Sequence, residues 1–180
     1  MIGLSNSASE VTKADFIRWY ILAQEGGLFI DTDILFFKPV DILKQIMEFD
    51  ISLQFERWFT VGFLASNKHD FFKQMYQDAI LKKDMTDYQA LGTKLIAETY
   101  NFKQLCEKYK IFNIPTEYVY PIPYRKPNSF FNKDMPRIPQ GCIGIHWFGG
   151  TPSSGRYQNT LTKENFKGNI LAEKYEGIGQ

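Results

Sequence analysis

Residues 14–41, from Ala14 to Asp41, read ADFIRWYILAQEGGLFIDTDILFFKPVD. Phe16, Trp19, Tyr20 and Ala23 fall at i, i+3, i+4 and i+7, which predicts the apolar face of a helix beginning near Asp15. Gly26-Gly27 ends it, because glycine accepts the left-handed conformation that closes many helices. Leu28-Phe29-Ile30 predicts a short buried strand running straight into Asp31-Thr32-Asp33, and Ile34-Leu35-Phe36-Phe37 is apolar again until Lys38-Pro39. Carboxylates at i and i+2 point to the same side while the chain stays extended. Like charges so close are unfavourable unless a cation joins them or one carboxyl keeps its proton. A hard divalent ion with oxygen ligands is a natural partner. Such an ion can bridge to a diphosphate and neutralise charge building on a leaving group. Asp15 and Arg18, at i and i+3, share a helix face. They read either as an ordinary surface pair worth under ~1 kcal/mol or as a polar pair lining the same cleft.

Working outward, Asp41 is placed to cap a short helix through about Met47, and Ile51–Phe55 and Thr60–Ala65 read as strands. Asp70 can cap a helix whose Phe72, Met75, Tyr76, Ala79 and Ile80 share a face. Further helices fit Asp87–Thr99 and, behind Asn101, Phe102–Tyr109. Six of the eight prolines lie between Pro115 and Pro139, which disfavours helix there and predicts extended pieces such as Tyr118-Val119-Tyr120. Cys142–Trp147 reads as a last strand before Gly149-Gly150-Thr151-Pro152-Ser153-Ser154. Alternating strands and helices make the class α/β or mixed α+β, with α/β taken as the expected class. The chain has no repeat, so residues 1–180 are expected to form one domain, with 1–10 and about 165–180 loose.

The 180 residues suffice for a real core, and 44% are hydrophobic, which rules out disorder as the main state. A formal net charge of +1 without a long basic run argues against nucleic acid. No apolar run is long enough to span a bilayer, and the first residues lack a signal peptide's basic and apolar regions. Cys106 and Cys142 have no metal or redox spacing and read as reduced thiols of a cytoplasmic protein. Aromatics reach 16%, enough for a thick core and for surfaces that stack on sugars.

The combined pattern resembles the DXD sugar transferases: bacterial capsular and lipopolysaccharide glycosyltransferases, fungal initiating α-mannosyltransferases and, more distantly, the glucosylating clostridial toxins. It is carried by Asp15, Arg18, Gly26, Gly27, Phe29, Asp31 and Asp33, then Lys38-Pro39 and Asp41. The resemblance implies a GT-A-like nucleotide-diphospho-sugar fold, a central mixed sheet flanked by helices, here shortened at its N-terminal, nucleotide-binding side. It implies a transferase dependent on Mn²⁺ or Mg²⁺, usually retaining, that moves sugar from a UDP- or GDP-sugar to a glycan or glycolipid. By the same resemblance Asp15 and Arg18 contact the donor sugar, and Asp31 approaches the ribose, sugar or metal. Asp33 ligates the metal, and Gly27 and Thr32 belong to the donor-binding segment. Gly144-Ile145-His146-Trp147 before Gly149-Gly150 resembles the C-terminal segment whose His completes the metal shell and whose loop closes over the diphosphate. His146, Gly149 and Gly150 therefore join the donor site, with Asp31, Asp33 and His146 as the metal set. Where members often have Asn before Gly62 this chain has Thr60-Val61, and Gly92-Thr93 replaces the usual Gly-Pro.

Several readings stay bland. His69 suits a surface or capping role, Trp19, Tyr20 and Trp147 suit the core, and Trp58 fits a hairpin tip or a sugar face. Two rival functions remain. Haloacid-dehalogenase-type phosphatases also place Asp-x-Asp after an apolar strand, but Leu35 stands where they carry Thr or Val. A non-catalytic carbohydrate-binding or assembly module is the stronger rival, because few residues precede the first helix. A sheet edge left open there would invite pairing into a homo-oligomer. The expected location is cytoplasmic, peripheral at the inner membrane face, with no transmembrane segment.

Overall fold

The computed structural model describes residues 8–39, 41–67, 70–82, 87–130, 137–160 and 162. His69 and most of the termini expected to be loose lie outside these residues. The chain divides into two compact units, one running to Ile30 and resuming from Ile42 to Ile114, the other comprising Asp31–Asp41 and the chain from Pro115.

The first unit opens with α1 (Glu10–Gln24), capped by Ser9, whose Oγ accepts the Thr12 N–H at 3.1 Å. Gly26 and Gly27 follow at φ 64° and 90°, the left-handed stop expected of them. β1 (Gly27–Ile30) is half-buried throughout rather than buried, because it is an edge strand. α2 (Ile42–Ile46) leads to β3 (Ile51–Phe55) and β4 (Phe59–Ser66), joined by a hairpin with Trp58 46% exposed at its tip. α3 (Asp70–Leu81), α4 (Thr93–Thr99), α5 (Phe102–Lys108) and β5 (Ile111–Asn113) complete the unit. The sheet runs β1-β4-β3-β5, antiparallel except for the parallel pair β3–β5. This is the mixed α/β architecture, a mixed sheet flanked by helices, expected of a GT-A-like fold.

β3 is buried on both faces. Ile51 and Leu53 join Phe16, Trp19, Leu22, Phe72 and Met75 in the main core, while Ser52 donates at 2.7 Å to the Ile46 carbonyl of α2. Trp19 is fully buried and donates Nε1–H to the Leu91 carbonyl at 2.5 Å. Tyr20, expected in this core, is 43% exposed. It sits on the flank of the apolar face, where its ring leans on Tyr76 of α3 with centroids 5.3 Å apart. Ile80, near the end of α3, is likewise exposed. The helix expected from Asp87 starts only at Thr93. The Asp87 carboxylate accepts the Gln89 N–H at 2.8 Å, and its carbonyl accepts from Ala90 at 3.0 Å, which favours turns over a helix.

In the second unit β2 (Ile34–Phe36) pairs antiparallel with β6 (Gly144–His146), Ile34 opposite His146. The strand expected over Cys142–Trp147 is thus only three residues long. Prolines exclude an α-helix after Pro115 as expected, but Tyr118-Val119-Tyr120 is not extended. Thr116–Tyr118 is a 3₁₀ turn, in which the Tyr118 N–H bonds the Pro115 carbonyl at 3.0 Å and the Val119 N–H bonds the Thr116 carbonyl. A second 3₁₀ turn spans Pro127–Phe130, and α6 (Pro152–Asn159) starts at a Thr151 cap. The small core is Ile122, Phe130, Cys142 and Ile145, with Trp147 and Phe148 packed against it. Cys142 is buried, its Sγ–H donating to the Gly144 carbonyl at 3.0 Å, and Cys106 is exposed. No helix among the described residues is long and apolar enough to cross a membrane.

Candidate metal centre and donor-site residues

Asp31, Thr32 and Asp33 do not continue a strand. The Ile34 N–H turns back onto the Asp31 carbonyl at 3.2 Å, so a β-turn, not an extended i, i+2 spacing, sets the two carboxylates. The ribbon then delivers the third group. The Trp147 N–H bonds the Asp33 carbonyl at 3.1 Å, and the His146 N–H bonds the Val119 carbonyl at 2.8 Å. His146 Nε2 thereby lies 2.9 Å from Asp33 Oδ1 and 3.7 Å from Asp31 Oδ2. One ligand atom from each of Asp31, Asp33 and His146 lies within 4.8 Å of the others. The Gly149 N–H donates to Asp33 Oδ2 at 2.6 Å. A Cβ at 149 would lie 2.9 Å from Gln158 Nε2 and 3.1 Å from Trp147 Nε1, so a side chain there would have to push the Gln158 amide aside. Gly150 is exposed in the turn closed by the Thr151 N–H on the Phe148 carbonyl at 2.9 Å, and Thr32 is exposed in its own turn.

Asp15 and Arg18 lie in the first unit with Gly27. They are ion-paired within one turn of α1, and at 4% and 3% exposed they are not the surface pair that spacing alone allows. The Arg18 guanidinium stacks over the Phe29 ring at 4.6 Å. Gly92, where the sequence departs from Gly-Pro, now has a physical role. A Cβ there would sit 2.7 Å from Asp15 Oδ2 and 3.0 Å from Gln89 Oε1, so glycine lets the carboxylate lie against the chain. Gly27 is different: an added Cβ would meet nothing within 4 Å, and its φ of 90° alone explains the residue.

Residues 5–53 match the family model of the glycosyltransferase sugar-binding region containing the DXD motif. This segment is thus similar to a DXD-motif glycosyltransferase sugar-binding region. Its DXD acids are Asp31 and Asp33, it includes Asp15 and Arg18, and it supports a glycosyltransferase-related role for the chain. No curated protein and no solved structure matches the chain. His146 lies beyond the matched residues, so its place beside the DXD acids rests on the ribbon alone.

The electrostatics of the DXD turn follow from this packing. Burial opposes ionisation of Asp33, but the adjacent His146 and the Gly149 N–H outweigh it and hold the carboxyl below its ordinary 3.8. Burial likewise opposes protonation of His146, yet Asp31 and Asp33 overcome it and raise the imidazole above its ordinary 6.5. Although Nε2 is close to Asp33, the contact is not aligned as a hydrogen bond. Both buried ring nitrogens lack a hydrogen-bond partner among the described residues. A buried imidazole without an aligned hydrogen bond, facing two carboxylates, suits a divalent cation in chemistry and in reach. Sequence reasoning missed the aromatic surroundings of His146, Tyr120 and Phe148, whose only local signal is an aromatic ahead of Gly149-Gly150.

Proposed function

We propose that the chain is a divalent-metal-dependent glycosyltransferase that moves a sugar from a UDP- or GDP-sugar to a hydroxyl of a glycan or glycolipid, with retention. The observation that carries this reading is the convergence of both DXD carboxylates with His146. These three residues would hold the ion, with Mn²⁺ favoured over Mg²⁺ because imidazole suits the softer cation. When bound, the ion neutralises charge on the departing nucleotide diphosphate. The protein's own contribution is positioning. The Gly149 N–H fixes one oxygen of Asp33 and leaves the other toward His146. In the first unit Asp15 and Arg18 would bind and orient the donor sugar, their geometry fixed by burial and by Phe29. A cytoplasmic location at the inner membrane face suits a glycolipid acceptor.

The test is release of UDP or GDP from a panel of nucleotide sugars, with Mn²⁺ and with chelator. Mn²⁺-dependent turnover of one donor, lost in Asp33→Asn, is expected. Sugar binding without turnover would favour the non-catalytic module. Neither turnover nor donor binding at millimolar concentration would overturn the proposal.

A further inference from the structure

Phe148 stands at φ 53°, the one non-glycine residue at positive φ among those described. The left-handed region is unfavourable for a residue with a side chain. Gly149 and Gly150 come next in sequence and could adopt that conformation with little strain. A bulky residue in a strained conformation beside a site points to a use for its side chain.

The ring meets the His146 imidazole edge-on, centroids 4.3 Å apart and planes at 85°. It is seated by Tyr120, Tyr124 and Phe130, with centroids at 6.3, 6.2 and 6.1 Å. Tyr120 also packs on the imidazole, at 5.3 Å. Metal-binding imidazoles are commonly oriented by a hydrogen bond from the second ring nitrogen to a carboxylate or carbonyl. Here Nδ1 has no such partner among the described residues. Besides the two carboxylates facing Nε2, ring contacts are what hold the imidazole plane. The same backbone turn sends the next N–H, that of Gly149, to Asp33.

Building on the proposed metal centre, we infer that Phe148 is a positioning residue, an aromatic clamp that replaces the outer hydrogen bond of His146 and aims Nε2 at the site between Asp31 and Asp33. Phe148→Leu keeps apolar bulk without the ring, Phe148→Gly removes ring and strain together, and Phe148→Tyr keeps the clamp.

The full chain and each variant are titrated with Mn²⁺, and the His146 imidazole resonances of the metal-free proteins are recorded by NMR. Phe148→Leu and Phe148→Gly should weaken Mn²⁺ binding about 10–100-fold, as losses of outer-shell partners do, with Phe148→Tyr close to wild type. The imidazole carbon-bound protons should lose their ring-current shift in the Leu and Gly variants and keep it in Tyr. Wild-type Mn²⁺ affinity and unchanged imidazole shifts in folded Phe148→Leu would overturn the clamp while leaving the metal centre standing. If the wild type binds no Mn²⁺, the metal reading fails, and the imidazole shifts still decide whether Phe148 holds His146.

Discussion

In the first unit, helix faces and a four-stranded sheet meet over Phe16, Trp19, Leu53, Phe72 and Met75. In the second, two paired three-residue strands and 3₁₀ turns surround a small core that includes Ile122, Phe130, Cys142 and Ile145. The two units handle charge in opposite ways. The first buries an acid and a base of opposite charge against each other, Asp15 with Arg18. The second gathers two acids and a histidine whose ring nitrogens lack hydrogen bonds, an arrangement a cation would complete. A large core can fix a buried ion pair by packing alone, whereas a small core gains most from a metal staple.

That contrast can be broken most forcefully in the first unit. Arg18→Ala removes the ion-pair partner of the buried Asp15 carboxylate and should destabilise by about 3–5 kcal/mol in a denaturant titration. Asp15→Asn combined with Arg18→Met should recover much of the loss. Equal losses in the single and double variants would mean that the charges are not the issue. Next in size is the metal itself. Mn²⁺ at a hundred times its Kd should add about 2.7 kcal/mol. Hydrogen exchange should show that protection at β2 and β6, with α1 and α3 little changed; a uniform gain would erase the distinction between the units.

Protons sharpen the comparison further. In metal-free protein the raised His146 pKa means that its pairing stabilises fully below 6.5 and is lost as pH rises through the raised value. The lowered Asp33 pKa means that its contribution holds above 3.8 and is lost as pH falls through the lowered value. Metal binding runs the other way, since the ion needs neutral imidazole. Mn²⁺ affinity should therefore fall by roughly tenfold per pH unit once His146 protonates, with Asp15 and Arg18 playing no part. A flat profile between pH 5 and about 8 would contradict this. The smallest effect is Asn101→Ala, which removes the capping box of α5, where Gln104 N–H bonds Asn101 Oδ1 at 2.9 Å. A loss of about 1 kcal/mol, without change in Mn²⁺ binding, is expected.

The first unit was the more legible in sequence because its signals are local. The apolar spacing of α1, the Gly26-Gly27 stop, the Asn101 cap and the β3–β4 hairpin all follow from neighbours along the chain. What misled there was finer: Tyr20 lies just off the buried stripe, and Asp87 diverts its segment into turns. In the second unit the partners are distant. His146 reaches Asp33 across a ribbon of more than a hundred residues' separation, and no periodicity encodes a three-residue strand. The candidate metal residues were nevertheless named from the sequence, because the resemblance spans both the DXD turn and the His-Trp segment. Their surroundings were not, since Tyr120 and the left-handed Phe148 owe their place to tertiary packing.

The central claim is that the two DXD acids and His146 bind one divalent ion. Calorimetric titration of the full chain with Mn²⁺ at pH 7.5, beside Asp33→Asn and His146→Ala, tests it most directly. The account predicts one ion per chain for the wild type and a loss in Asp33→Asn exceeding the roughly 100-fold reached by outer-shell changes. It predicts a marked loss in His146→Ala as well. Mn²⁺ binding of wild-type strength in both variants, or none in the wild type, would contradict it.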